Sequence, residues 1–117
     1  MEVLVLEDEP IVLMDLEFGL EDAGMIANGA TNQSDAMGVI DRRVPDAAVL
    51  DVNLGGGVTS EAVAARLRSL GVPFVLYSGD LDRRGELVAL MDVPLLPKPT
   101  PVEEIAKVVA GMVAASR

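Results

Sequence analysis

The sequence predicts an α/β domain: a parallel sheet with helices packed on both faces. Three observations carry this. Short apolar runs of strand length alternate five times with segments of helical period. All but the second of these runs stop at an acid or a turn residue with no polar alternation inside them, as strands buried on both faces do. The 117 residues are enough for one core, and they contain no repeat, linker or low-complexity tract, so a single domain over residues 1–117 is expected.

Val3-Leu4-Val5-Leu6 is the first buried strand, and it runs into Glu7-Asp8-Glu9. Pro10 suits a first helical position, and the helical pattern reaches Ala23, with Gly24 placed to stop it. On a helical wheel Val12, Leu16, Gly19, Leu20 and Ala23 share the expected core face, while Ile11, Met14 and Phe18 fall off it. Met25 to Ala30 is a weaker strand, interrupted by Asn28-Gly29. Ser34 is the expected cap of a short helix through Asp41, with Ala36, Val39 and Ile40 inward and Arg42-Arg43 at its C-terminal end, where the helix dipole favours cations.

Pro45-Asp46 opens the central stretch, in which Ala47 to Leu50 lead into Asp51 and then into Gly55-Gly56-Gly57. Thr59 or Ser60 caps the next helix, to Leu70, which Gly71 ends. Pro73 to Tyr77 is another buried strand, followed by Ser78-Gly79-Asp80. Leu81 to Met91 is expected to be a fourth helix, weakened by Gly85 at a cost of about 1 kcal/mol relative to Ala. Pro94-Leu95-Leu96 precedes Pro97-Lys98-Pro99. Thr100, Pro101 and Glu103 have capping-box spacing, and Val102, Ile105, Ala106, Val109 and Val113 make the last helix's apolar stripe, flanked by Val108 and Met112.

Composition narrows the function. Half of the residues are hydrophobic, yet Phe18, Phe74 and Tyr77 are the only aromatics, so the core is aliphatic. Nine basic against nineteen acidic residues give a formal charge of -10, which repels nucleic acid phosphates and anionic membrane. The absence of cysteine excludes disulfides and thiol catalysis, and the absence of histidine excludes imidazole acid–base catalysis. No apolar run is long enough to span a bilayer, and no basic segment precedes the first one. The expected compartment is the cytoplasm.

All strands of a parallel sheet end on one edge, and open α/β sheets keep their ligand crevices there. Glu7 and Asp8, Asp51, Ser78 and Lys98 therefore converge. Taken singly each has an ordinary explanation: a solvated acid cluster, a loop cap, turn chemistry, a surface lysine. Together they are three carboxylates that need a counter-charge, and Mg²⁺ or Mn²⁺ is the natural one. A carboxylate nucleophile beside a hydroxyl and an ammonium has the groups that phosphoryl transfer uses.

VLVLEDEP (Val3 to Pro10), VLDVNL (Val49 to Leu54), PFVLYSG (Pro73 to Gly79) and Lys98-Pro99 together resemble the receiver domain of two-component response regulators, in order and spacing, over essentially the whole chain. The resemblance implies a flavodoxin-like sheet of order 2-1-3-4-5 with five helices. It implies Asp51 as phosphoacceptor, Asp8 as a direct metal ligand and Glu7 as one acting through water. The backbone carbonyl of Asn53 completes the metal set, while Ser78 and Lys98 hold the phosphoryl group. Asn53 and Asp80 would tune the lifetime of the phosphorylated form, and Lys98-Pro99 would be cis.

Three departures stand out: Glu7 where Asp is usual, Gly55 where Pro is frequent, which implies a floppier turn, and Leu95 where the family has its aromatic switch. The last, with the PF-x-x-x-[TS]-G pattern, resembles a subgroup of stand-alone receivers lacking that aromatic. The switch is then expected in Leu81 to Met91, with Arg83-Arg84 at its start and Leu95 beside it. Donor docking is expected on Ile11, Met14 and Phe18, an apolar surface beside the acids.

The implied donor is a histidine kinase or histidine phosphotransfer protein, because the chain has no histidine of its own. The output is expected to be a contact with a downstream protein, by a monomer or a phosphorylation-dependent dimer. The alternative is a phosphatase of the haloacid-dehalogenase type, which also uses an Asp nucleophile. Such enzymes usually place a second Asp two residues on, where Asn53 stands, and their acid pair follows the nucleophile instead of preceding it.

Overall fold

The apolar runs pair side by side into one sheet. The computed structural model describes residues 1–52, 54–55, 59–78 and 93–116. Five parallel strands, β1 (Glu2–Leu6), β2 (Ile26–Ala30), β3 (Ala47–Asp51), β4 (Phe74–Ser78) and β5 (Leu95–Pro97), lie in the order β2-β1-β3-β4-β5. The described helices are α1 (Pro10–Asp22), α2 (Gln33–Arg42), α3 (Glu61–Ser69) and α4 (Val102–Ala115). The expected helix Leu81 to Met91, with Arg83 and Arg84, lies outside the described residues.

Alternation along the strands sorts the core into two layers. Leu4, Leu6, Leu50, Phe74 and Leu76 pack with Ala36, Val39 and Ile40 of α2 and Val63, Ala64 and Leu67 of α3. Val3, Val5, Val49, Val75 and Tyr77 pack on the opposite face with Leu13, Leu16 and Leu20 of α1 and Ile105, Val109 and Val113 of α4. The three central strands are thus covered on both sides, which is why they carry no polar alternation.

Several local expectations need correction. The α1 core stripe is Leu13, Leu16 and Leu20; Val12 and Gly19 are half-buried and Ala23 is exposed, because the helix leans on β2 with its Leu13 edge. Asn32, not Ser34, caps α2: its side chain accepts the Asp35 N–H at 2.8 Å. The Thr100 capping box does not form. The Thr100 hydroxyl donates to the Pro97 carbonyl instead, and α4 starts at Val102 after an extended Pro101. At α3, the Thr59 hydroxyl accepts the Glu61 N–H at 3.3 Å, while the buried Ser60 hydroxyl has no hydrogen-bond partner among the described residues.

Gly24 and Gly71 follow α1 and α3 with φ of 87° and 72°, the left-handed stop expected after those helices. Gly19 lets α1 and α4 approach closely: a Cβ there would overlap the Val102 side chain.

Candidate functional site

The three central strands and the edge strand β5 each bring polar side chains to the carboxyl edge. β1 leads directly into Glu7 and Asp8, and the Glu7 N–H is fixed by the Ala30 carbonyl at 3.0 Å. Asp51 is the last residue of β3 and Ser78 the last of β4, and both are buried. Lys98 follows β5, its N–H bound to the Ser78 carbonyl at 3.0 Å, and its bond to Pro99 is cis.

The side chains meet. Lys98 Nζ donates to Glu7 Oε2 at 2.9 Å and lies 3.2 Å from Asp51 Oδ2. Glu7 is fully buried, and its other oxygen accepts the Glu9 N–H at 3.1 Å. Carboxylate oxygens of Glu7, Asp8 and Asp51 lie within 4.8 Å of one another. Ser78 closes the same edge from β4.

Electrostatics follow from that crowding. Burial, and then the charge of Glu7, push the Asp51 carboxyl up to about 7, with Lys98 pulling the other way. Burial alone would lower the Lys98 ammonium. Its hydrogen bond to Glu7 and the charges of Asp51 and Glu7 outweigh that, and the net shift is upward. With all four groups ionised, three negative charges against one positive leave a surplus of two. An oxygen-only donor set with that net charge of minus two fits a hard divalent cation such as Mg²⁺.

The expected residues are thus brought together where they can be described. Asn53 and Asp80 lie outside the described residues. Gly55 is not a slack substitute for Pro. Its φ of 82° is in the left-handed region, which the pyrrolidine ring cannot enter, and a Cβ there would approach Asp8 Oδ2 to 3.5 Å. Ile11, Met14 and Phe18 are exposed on α1, away from both core layers. Leu95 packs against the α2–α3 layer, and Val108 and Met112 against the α1–α4 layer.

Sequence reasoning missed two relationships. One is the direct contact between Glu7 and Lys98, which the extra methylene of Glu7 makes legible only once β5 is placed. The other is Tyr77, whose ring centroid lies 5.2 Å from Lys98 Nζ. Its signal was an aromatic at the carboxyl end of β4, directly before Ser78.

Among the described residues no helix is long and apolar enough to cross a membrane. No curated protein matches the chain. Solved structures do. A receiver protein from Sinorhizobium medicae WSM419 is 23% identical with a TM-score of 0.87, covering 100% of this chain and 97% of that one. The receiver domain of Francisella response regulator 1452 is 18% identical with a TM-score of 0.84, covering 99% and 98%. NtrX from Brucella abortus, crystallised with ATP, is 22% identical with a TM-score of 0.85, covering 98% of this chain but 27% of that longer one. At these identities the likeness establishes the fold. The sequence itself matches the family model described as the response regulator receiver domain over residues 3–110, nearly the full length and all of the strand ends just described. By that match, and not as a phosphatase of the haloacid-dehalogenase type, the chain belongs to the response regulator receiver domain family.

Proposed function

We propose that the chain is a phosphoacceptor that takes a phosphoryl group onto Asp51 from a phosphohistidine on a histidine kinase or histidine phosphotransfer protein. The observation that carries this reading is Asp51 itself: a buried carboxylate at the end of β3, with Glu7, Asp8 and Lys98 gathered around it. A carboxylate oxygen of Asp51 attacks phosphorus, the P–N bond to the donor imidazole breaks, and the imidazole leaves with the bonding pair and takes up a proton. The product is an acyl phosphate, and attack of water on it later returns Asp51 and inorganic phosphate.

Each side chain has a separate task. Lys98, already within reach of Asp51, pairs with the phosphoryl oxygens that replace the lost carboxylate charge. The Ser78 hydroxyl hydrogen-bonds another of those oxygens. Asp8, Asp51 and the Asn53 backbone carbonyl would hold Mg²⁺ or Mn²⁺ directly and Glu7 would hold it through water. The ion, when bound, neutralises charge on the transferring group. Asn53 and Asp80, two positions beyond the acceptor and the hydroxyl, set access of water to the acyl phosphate.

Self-phosphorylation and self-dephosphorylation are the only chemistry in this reading. The chain acts in the cytoplasm through a changed protein-binding face on a downstream protein, as a monomer or a phosphorylation-dependent dimer. Its donor docks on Ile11, Met14 and Phe18, and Leu95 with the Leu81 to Met91 segment carries the switch. Incubation with Mg²⁺ and a small acyl phosphate, followed by intact-mass measurement, tests the reading. One added phosphoryl group, absent with EDTA, is expected, and an unchanged mass with Mg²⁺ present contradicts it.

A further inference from the structure

We infer that Tyr77 is a positioning residue for Lys98, its ring forming the apolar seat that keeps the ammonium over the Asp51 carboxylate. This rests on the phosphoacceptor reading for its functional consequence, and on geometry alone for the contact. Tyr77 pairs in register with Asp51 across β3 and β4 and with Leu96 across β4 and β5. It shares the α1–α4 side of the sheet with Val49 and Val75. Side chains alternate along a strand, so Asp51, two residues beyond Val49, emerges on that same side and next to Tyr77.

Lys98 is held to the end of β4 twice. Its N–H bonds the Ser78 carbonyl at 3.0 Å, and its Nζ lies 5.2 Å from the Tyr77 ring centroid, inside the range of a cation–π contact. The ring is only 6% exposed, so it meets the ammonium with little competing water. An ammonium carries three donors on a flexible stem. Glu7 and Asp51 draw it with their carboxylates, and the Tyr77 ring face lies within cation–π range of the same atom.

The ring does something a polar neighbour would not. It attracts the charge without fixing a hydrogen-bond direction, so Lys98 can swing from the Glu7 and Asp51 carboxylates to phosphoryl oxygens without breaking a directed bond to the ring. A polar side chain at position 77 would hold the ammonium in one orientation. An aliphatic one would fill the core but leave the ammonium free to drift toward water.

Two substitutions separate seat from filler: Tyr77→Phe keeps the ring, and Tyr77→Leu keeps apolar bulk without it. The chain has two lysines, Lys98 and Lys107, and the Lys107 side chain is 76% exposed, so a lysine-labelled sample gives one reporter and one internal reference. In NMR spectra the Lys98 ε-methylene protons are expected upfield of those of Lys107 in the wild type and in Tyr77→Phe. In Tyr77→Leu the two sets should coincide.

Phosphorylation by acetyl phosphate with Mg²⁺ should slow roughly three- to tenfold in Tyr77→Leu, the range of a partly desolvated cation–π contact, and stay within about twofold in Tyr77→Phe. If Tyr77→Leu fails to fold, Tyr77→Met carries the same expectations. An unshifted Lys98 signal in the wild type overturns the contact. A lost shift with a wild-type rate overturns the positioning role. Failure of the wild type itself to accept a phosphoryl group would count against the acceptor reading, and the NMR comparison would still decide whether the ring seats the lysine.

Discussion

Glu7 and Lys98 are 91 positions apart in the chain and 2.9 Å apart in the fold, and the carboxylate of this pair is fully buried. Their contact ties the end of β1 to the loop after β5 across the whole site. Removing one member of a buried pair strands the other's charge, at about 3–5 kcal/mol for a fully enclosed pair. The Lys98 side chain is 24% exposed, so solvent screening reduces that. Lys98→Ala should destabilise the metal-free protein by about 1–3 kcal/mol. Urea denaturation in EDTA measures it, and added Mg²⁺ should stabilise the variant more than the wild type.

The acid at the centre of the site gives a pH signature. Asp51 titrates near 7 in the fold against an ordinary value of 3.8, so between those limits the native state holds a proton that the unfolded chain has released. Stability of the metal-free protein from this group is therefore present at low pH and falls as pH rises from about 4 to about 7. Asp51→Asn removes that slope. Thermal melting in EDTA across this range should show the variant gaining on the wild type as pH rises. Mg²⁺ affinity of the wild type should rise over the upper part of the same window, because the metal must displace the proton.

Helix packing predicts a change of sign between two glycines. Gly19 on α1 faces Val102, and a methyl there would force α1 and α4 apart. Gly19→Ala should cost about 1–3 kcal/mol despite the better helix propensity of Ala. Gly111 on α4 has no atom of the described residues within 4 Å of its Cβ direction, so Gly111→Ala should stabilise by about 0.5–1 kcal/mol. Parallel urea titrations check both.

The exposed face of α1 predicts a split between donors. Ile11, Met14 and Phe18 are 73%, 47% and 60% exposed, and α1 starts directly after the Glu7-Asp8-Glu9 cluster. Ile11→Glu or Met14→Glu should slow transfer from a phosphohistidine protein at least several-fold while leaving acetyl phosphate labelling unchanged. Equal loss with both donors would place the defect in the site or the fold.

Much of this was legible in the sequence, for a physical reason. Buried parallel strands must be continuous apolar runs, so Val3 to Leu6, Ala47 to Leu50 and Phe74 to Tyr77 announced themselves, and their flanking residues had to share an edge. The helix starts were less legible because capping is a competition among neighbours. Asn32, Gln33 and Ser34 are all polar, and only the backbone path decided for Asn32. Thr100 had capping-box spacing but found the Pro97 carbonyl first. The Leu13 edge of α1 depended on the lean of the helix toward β2, which periodicity does not encode. The Tyr77 seat needed the register of three strands at once.

Localising the phosphoryl group tests the central claim most directly. Borohydride reduces an aspartyl acyl phosphate to homoserine but leaves serine and threonine phosphates intact. The protein should be labelled with acetyl phosphate and Mg²⁺, reduced, digested and mapped by mass spectrometry. Homoserine at position 51 and nowhere else, with no labelling of Asp51→Asn, is the predicted result. Homoserine at another acid, or a phosphoryl group that resists reduction, would contradict Asp51 as the acceptor.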